Sequence, residues 1–376
     1  MKVLQLLTHG DLQPGGAVQA YRLALELARR GHALTLAYSP KRPGLRVPPE
    51  RFAELERAGV GILEVNLRPL FSIFRLRALL KHSDFDIVHA HREDAISRLF
   101  WATLGLRRPV LIGNRGNTYR LTRRERFELS SRRYRTIVAV AHEVKRVLVS
   151  DGIDPAKVAV VYGAVDTEEF SPGVDGSAVR RELFPEESQA PLVGMLANLD
   201  RKKSHDTFLR MAALILERRP EVRFAAVGRG RAEKFAGLTG QLGLRGKVVF
   251  PGYRADAAAT LAAFDVSVNT ASKGEGLTGA IRESLAMARP VVVTDVGGNT
   301  ELVRDGETGL VVPPMDTEAL ARAVLRLLDS PGEAAEMGRR GRQFVVEHMS
   351  LAVRGDAIEA LYRDALRGHS TFPASV

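Results

Sequence analysis

Two glutamates, Glu275 and Glu283, stand in the segment Glu275-Gly276-Leu277-Thr278-Gly279-Ala280-Ile281-Arg282-Glu283, the first in a glycine-flanked loop and the second in a helical pattern. A carboxylate in such a helix can accept both hydroxyls of a ribose, and one in the preceding loop can hold hydroxyls of a sugar. Thr278 reads as a helix N-cap, with the N–H groups of Gly279 and its neighbours turned toward a phosphate. Lys203 follows an apolar run over 192–197, where an ammonium could neutralise a pyrophosphate leaving group. Each residue alone has the plainer reading of a solvated surface charge. Their placement at successive strand ends of one sheet favours a site.

The elements that must carry them form an alternating series. Phe264 to Val268 and Pro290 to Thr294 are apolar runs flanking the glutamate segment, and Asp295-Val296-Gly297-Gly298 follows the second. Strand, loop, helix, strand and glycine loop are the order in which a parallel sheet presents a ligand site at its strand ends. Further strands are expected at 3–7, 33–38, 86–91, 109–113, 136–140 and 158–162, then at 192–197, 223–228, 248–252, 266–270, 291–295 and 309–313. Helices are expected over 142–150, 331–347 and 350–367. Two tandem βα series predict an α/β fold of two Rossmann-like domains facing across a cleft, a favoured place for small-molecule sites. The polar, Pro- and Gly-broken stretch 171–189 reads as the linker. The expected domains are 1–172 on the acceptor side, 173–349 on the nucleotide-sugar side, and a closing helix in 350–376.

In the first half, Gly15-Gly16 opens an amphipathic helix with Leu23, Ala24, Leu27 and Ala28 on one face and Gly31 as its stop. Glycines there let backbone N–H groups approach a phosphate, although the dinucleotide fingerprint is not met and a plain turn is the commoner reading. His91 ends a strand and is either a reactive group or a packed histidine. Asp84-Phe85-Asp86 precedes that strand, on the wrong side for a ligand site, and reads as a turn rather than a metal site. Gly228-Arg229-Gly230 is a lone, weak G-x-G. Residues 68–82 mix Leu70, Phe71, Ile73, Phe74 and Leu76 with Arg68, Arg75, Arg77 and Lys81. They suit an ordinary surface helix or one lying on an anionic membrane. Arg115, Arg120, Arg123, Arg124, Arg126, Arg132, Arg133 and Arg135 accompany only Glu125 and Glu128. Such planar forks fit phosphate and carboxylate.

The charge is lopsided. Residues 1–150 hold 27 Lys and Arg against 13 Asp and Glu, whereas the whole chain carries +11. The first half is therefore expected to meet something anionic. Few aromatics interleave the arginines and no nucleic-acid motif surrounds them, which disfavours nucleic acid. Cysteine is absent from the 376 residues, excluding disulfides, thiolate metal sites and a cysteine nucleophile. No apolar run reaches about 18 residues, so no membrane-spanning helix is expected. The first residues read as a strand rather than a signal peptide, and the absence of cysteine fits the expectation of a cytoplasmic protein, one that could contact the inner face of the membrane peripherally.

Four segments carry a resemblance. They are Val161-Tyr162-Gly163-Ala164-Val165-Asp166 with Phe170; Val193 to Asp200 with Lys203-Ser204-His205; Glu275-Gly276-Leu277 to Glu283; and Thr294 to Glu301 continuing through Asp305-Gly306-Glu307-Thr308-Gly309. With these the chain resembles the GT-B fold retaining glycosyltransferases of family 4, also called glycosyl transferases group 1. The resemblance implies transfer of a sugar from a nucleoside-diphosphate sugar to an acceptor hydroxyl, with retention and without a metal or other cofactor. Gly16 and Lys203 would meet the donor diphosphate, as would the backbone at Gly276, Leu277 and Thr278. Glu275 would hold the donor sugar and Glu283 the ribose. Asn198 stands where the family commonly has an arginine, Leu277 where phenylalanine is usual, and Arg115 where many members have a histidine. His91 is the alternative to Arg115 in a catalytic role. An anionic or lipid-linked glycan, as in lipopolysaccharide or capsule synthesis, suits the basic half as acceptor. A nucleotide-sugar epimerase on a similar scaffold is the rival reading.

Overall fold

A computed structural model describes residues 1–8, 12, 15–39, 49–67 and 72–368. The chain packs as two compact units, one made of Met1–Ala164 with Leu351–Val376 and the other of Val165–Ser350. Each is a Rossmann-like α/β unit built on a wholly parallel sheet.

Unit 1 has strands β1 (Lys2–Leu7), β2 (Ala33–Tyr38), β3 (Gly61–Glu64), β4 (Ile87–His91), β5 (Val110–Arg115), β6 (Tyr134–Ala139) and β7 (Val158–Val160). Its helices are α1 (Gly15–Arg29), α2 (Pro49–Arg57), α3 (Ser72–Lys81), α4 (Glu93–Ala102), α5 (Arg123–Ser130) and α6 (His142–Ser150). The strand order is β3-β2-β1-β4-β5-β6-β7. The central strands β1 and β4 are buried on both faces, as in a helix-covered parallel sheet, and carry the buried polar residues Gln5, His89 and His91 among apolar ones. In α1, Leu23, Ala24 and Leu27 are buried, and Gly31 ends the helix at φ +83°, a conformation that suits glycine. β3 is a strand that the sequence pattern did not announce. Its four residues are only half covered at the sheet edge, so they lack the apolar run of an inner strand. The basic stretch read over 68–82 is helical from Ser72. Arg68, Leu70 and Phe71 lie outside the described residues.

Unit 2 begins with α7 (Ser177–Leu183), then β8 (Leu192–Leu196), α8 (His205–Arg218), β9 (Arg223–Val227), α9 (Ala236–Gln241), β10 (Val248–Gly252) and α10 (Ala257–Ala262). It continues with β11 (Val266–Asn269), α11 (Gly279–Ala286), β12 (Val291–Thr294), α12 (Asn299–Leu302), β13 (Leu310–Val312), α13 (Thr317–Asp329) and α14 (Pro331–Met349). Its strand order is β10-β9-β8-β11-β12-β13. The stretch 171–189, read as a linker, belongs to this unit. Its helix α7 is tied down by Arg180 on Asp265 at 2.7 Å, and a side chain at Gly176 would collide with the backbone of Ala263. The Pro and Gly residues there mark turns of a packed segment, and the chain enters unit 2 at Val165 rather than after 172. The last helix, α15 (Leu351–Arg367), packs on α1 within unit 1.

Both sheets run outward from a central strand in one direction and then resume on its other side. The reversal falls between β1 and β4 in unit 1 and between β8 and β11 in unit 2. At such points the loops leaving the carboxyl ends of neighbouring strands diverge and open a crevice.

Candidate active site

In unit 2 the loop after β8 carries Lys202 and Lys203 on a short 3-10 turn, and the loop after β11 carries Glu275. The carboxylate is buried and takes both ammonium groups, Lys203 at 3.2 Å and Lys202 at 3.4 Å. The two loops are stitched together. Thr270 Oγ1 donates to the carbonyls of Lys203 at 2.7 Å and Ser204 at 3.1 Å, and Ser272 N donates to that of Lys202 at 2.8 Å. Burial alone would raise the Glu275 carboxyl, but Lys203 and Lys202 outweigh it and hold the group below its ordinary range. Burial pushes the Lys203 ammonium down, with Glu275 opposing. Glu275 is thus an anion fixed between two cations in a dry setting. His205, in the first turn of α8, adds no charge: burial, Lys234 and Lys203 push it down to about 4.

Thr278 is the N-cap of α11, as its sequence position suggests, yet its hydroxyl does not cap the helix. It donates to Asn299 Oδ1 at 2.9 Å and lies 3.3 Å from Glu275 Oε2, while Asn299 Nδ2 donates to the carbonyl of Thr294. The first N–H groups of a helix have no acceptor within it. Here the side chain best placed to satisfy them is turned elsewhere, so α11 starts without a side-chain cap at its positive end. Glu283 lies one turn in and folds back, because a Cβ built on Gly279 would lie 3.6 Å from its Oε1. The glycine loop after β12 completes this wall. Gly298 N donates to the carbonyl of Gly276 at 2.9 Å, and Gly297 (φ +59°) lies so close that any side chain there would strike the carbonyl of Glu275. Leu277 is half-buried at the lip.

Asn198 is exposed on the β8 loop, where its Oδ1 accepts from Arg229 N at 3.2 Å. The Arg229 guanidinium lies 4.2 Å over the Tyr253 ring. The Gly228-Arg229-Gly230 triplet is a packing device, since side chains at either glycine would collide with Ala197 or Leu199.

In unit 1, Gly15 and Gly16 are the exposed first residues of α1, and a Cβ at Gly15 would meet nothing within 4 Å. Across the reversal, His91 ends β4, fully buried, with Nε2 bonded to Gln5 Oε1. Gln5 Nε2 donates to Tyr362 Oη at 3.0 Å, and Tyr362 meets His89 Nδ1 at 2.8 Å. The His89 and His91 rings stack with centroids 4.3 Å apart. Burial, aided by Arg354, pushes His89 down to about 3, so it is neutral. The run of donors is then self-consistent: His91 N–H to Gln5, Gln5 N–H to Tyr362, Tyr362 O–H to His89. Arg115 is buried and committed to Glu93 at 2.9 Å, Glu125 at 3.2 Å and the carbonyl of Tyr119 at 2.9 Å. Asp84 and Asp86 bind the side chain and backbone N of Lys2, at the amino ends of the strands.

The structure therefore brings Lys203, Glu275, Gly276, Leu277, Thr278 and Glu283 to one strand-end wall in unit 2, with Asn198 on the neighbouring loop. Gly15, Gly16, His91 and Arg115 belong to unit 1. Sequence reasoning missed Lys202 and Asn299. The doubled lysine was a visible signal for the first, whereas only the fold reveals that Asn299 draws the Thr278 hydroxyl off its helix.

Residues 190–330 match the family model described as Glycosyl transferases group 1, and residues 14–169 match Glycosyltransferase Family 4. The chain belongs to glycosyltransferase family 4. Its relatives include the Escherichia coli UDP-Gal:alpha-D-GlcNAc-diphosphoundecaprenol alpha-1,3-galactosyltransferase, 24% identical over 79% of this chain and 80% of that one. Another is the Mycolicibacterium smegmatis GDP-mannose-dependent alpha-(1-6)-phosphatidylinositol monomannoside mannosyltransferase, 33% identical over 52% and 54%. The chain spans about half the length of that relative and 46% of the Streptomyces kanamyceticus alpha-D-kanosaminyltransferase. Among solved structures, Anabaena Alr3699/HepE in complex with UDP and glucose superposes with TM-score 0.82 at 19% identity, covering 96% of this chain and 99% of that one, a likeness of fold. The epimerase alternative gains no support from these families. Among the described residues no helix is long and apolar enough to cross a membrane.

Proposed function

We propose that this transferase moves a sugar from a nucleoside-diphosphate donor to a hydroxyl of an anionic, lipid-linked glycan acceptor, with retention at the anomeric carbon. One observation carries the donor half: Lys203, Glu275 and the uncapped start of α11 converge at the strand reversal of unit 2. A diphosphate there meets helix N–H groups and the Lys203 and Lys202 ammonium groups. Glu283 accepts the ribose hydroxyls and Glu275 those of the sugar.

The donor's anomeric carbon–oxygen bond breaks toward the phosphate, whose developing charge falls on Lys203 and the helix start. The acceptor oxygen bonds to the same carbon on the same face, and its proton passes to the departing phosphate oxygen. The chain supplies its own cations for that charge, so turnover without a divalent metal is part of the proposal. Gly15-Gly16 offers backbone N–H groups from the start of α1. The E. coli and M. smegmatis relatives are named for diphosphate- and phosphatidyl-linked lipid acceptors, which favours a lipid-linked acceptor in an envelope glycan such as lipopolysaccharide or capsule. An enzyme using such an acceptor would work from the cytoplasm at the inner face of the membrane.

Titrating the protein with UDP, GDP and ADP tests the donor site. One diphosphate is expected to raise Tm in proportion to the logarithm of its concentration. Insensitivity of Tm to all three would refute the site.

A further inference from the structure

The three exposed Phe and Trp side chains among the described residues, Phe74 (73% exposed), Trp101 (38%) and Phe127 (61%), all lie on one stretch of unit 1, with Leu104 (43%) beside them. They come from three helices that the sequence did not place together. Phe100 joins two of them, its ring lying 5.2 Å from that of Trp101 and 5.8 Å from that of Phe127. Arg77, one turn after Phe74 on α3, donates to the carbonyls of Ala102 at 3.1 Å and Leu104 at 2.6 Å, which brings α3 to the end of α4. The Trp101 indole N–H is satisfied by the buried Glu128 of α5 at 2.8 Å, leaving the apolar ring edge outward.

Basic groups frame this surface. Arg107 and Arg108 are exposed just after Leu104, and Arg123 precedes Phe127 by one helical turn on the same side of α5. Arg124 is exposed too, although its guanidinium is held by Glu128 at 2.8 Å. The exposed carboxylate on α3, α4 and α5 is Asp94, about two turns from Trp101 at the far end of α4. Three other arginines of 115–135 are engaged within the unit, while Arg126, Arg132 and Arg135 are exposed. Arg115 is buried, Arg120 binds Asp151 at 2.9 Å, and Arg133 holds the carbonyls of Thr103 and Pro109.

We infer that the α3–α4–α5 face of unit 1 docks on an anionic lipid bilayer, with Phe74, Trp101, Leu104 and Phe127 entering the headgroup boundary and Arg107, Arg108 and Arg123 meeting lipid phosphates. Aromatic and aliphatic side chains rimmed by arginine match both halves of such an interface: apolar burial at the acyl boundary and attraction to anionic headgroups. A nucleic acid would take the arginines but would need bases to reach the aromatic rings, and a second copy of the chain would oppose like charges. The inference goes beyond the transfer reaction, since vesicle and nucleotide binding are read separately and either can fail alone.

Trp101 is the chain's single tryptophan and reports directly on this face. Vesicles of phosphatidylglycerol and phosphatidylcholine are expected to shift its emission to the blue and shield it from acrylamide, and phosphatidylcholine alone to do neither. Phe74→Ser with Phe127→Ser should weaken vesicle partitioning about tenfold or more. Arg107→Glu with Arg123→Glu should weaken it most at low salt. Both pairs should leave Tm and nucleotide binding unchanged. An unshifted Trp101 on anionic vesicles would overturn the inference. So would vesicle binding untouched by both pairs, binding to RNA that matches or exceeds binding to vesicles, or a concentration-dependent dimer abolished by the Phe pair.

Discussion

At the strand reversal of unit 2, a buried carboxylate is clamped by two ammonium groups beside a helix start stripped of its cap. At the corresponding reversal of unit 1, a histidine, a glutamine, a tyrosine and a second histidine are joined in one line of hydrogen bonds that ends on the neutral His89. The same topology thus holds an ion-paired cluster in one unit and a line of hydrogen-bonded side chains in the other. Charges that are largely buried act on an incoming diphosphate more strongly than solvated ones, because water screens them less. A buried hydrogen-bonded line costs a great deal once one member is removed and its neighbours lose their partner. Under the proposed function, the donor meets the ion-paired cluster of unit 2, while the hydrogen-bonded line of unit 1 holds the end of β4.

The largest expected effect breaks the charged side. Lys203→Ala and Glu283→Ala should each lower sugar transfer by about 100-fold or more while far-UV circular dichroism is unchanged. Near-normal turnover in either variant would remove that residue from the donor site. An intermediate effect tests the neutral side. Tyr362→Phe removes the hydroxyl between Gln5 and His89, leaving buried groups unpaired. A loss of about 1–3 kcal/mol in urea unfolding is expected, with nucleotide affinity intact. A loss of affinity without a loss of stability would reverse the contrast. The smallest effect is one of pH. Because burial holds the Lys203 ammonium below the ordinary lysine range, raising the pH through that lowered value discharges it in the free protein. Nucleotide affinity should therefore decline severalfold on the alkaline side, and Lys203→Arg should flatten the profile. The sign for stability is opposite. In that window the unfolded chain binds the extra proton, so the fold gains stability as pH rises.

Much of this was legible because strand ends announce themselves. Apolar runs such as Val266–Asn269 and Leu192–Leu196 place Glu275 and Lys203 after carboxyl ends, and the helical pattern puts Glu283 a turn beyond Thr278. What stayed hidden depends on partners distant in sequence. Thr278 looked like a cap because its local chemistry is that of a cap, and only Asn299, 21 residues on, takes its hydroxyl away. The arginines of 115–135 looked like one anion-binding stripe. The fold divides them, pairing Arg115, Arg120 and Arg124 with carboxylates and leaving Arg123 outward. β3 and the packed stretch 171–189 were missed for a related reason. Short, half-covered or Pro-broken segments take their order from neighbours rather than from their own pattern.

Tyr362 belongs to α15, whereas its partners Gln5 and His89 lie in the first hundred residues. On a ribosome, a nascent chain ending at Ser350 already holds every residue of unit 2 but lacks the helix that closes unit 1. The usual order of synthesis, in which the first domain made is the first to finish, is thereby inverted. Until α15 emerges, the amide of Gln5 and the ring of His89 wait beside the sheet for a phenol, and the α1 surface that α15 covers stays open to chaperones.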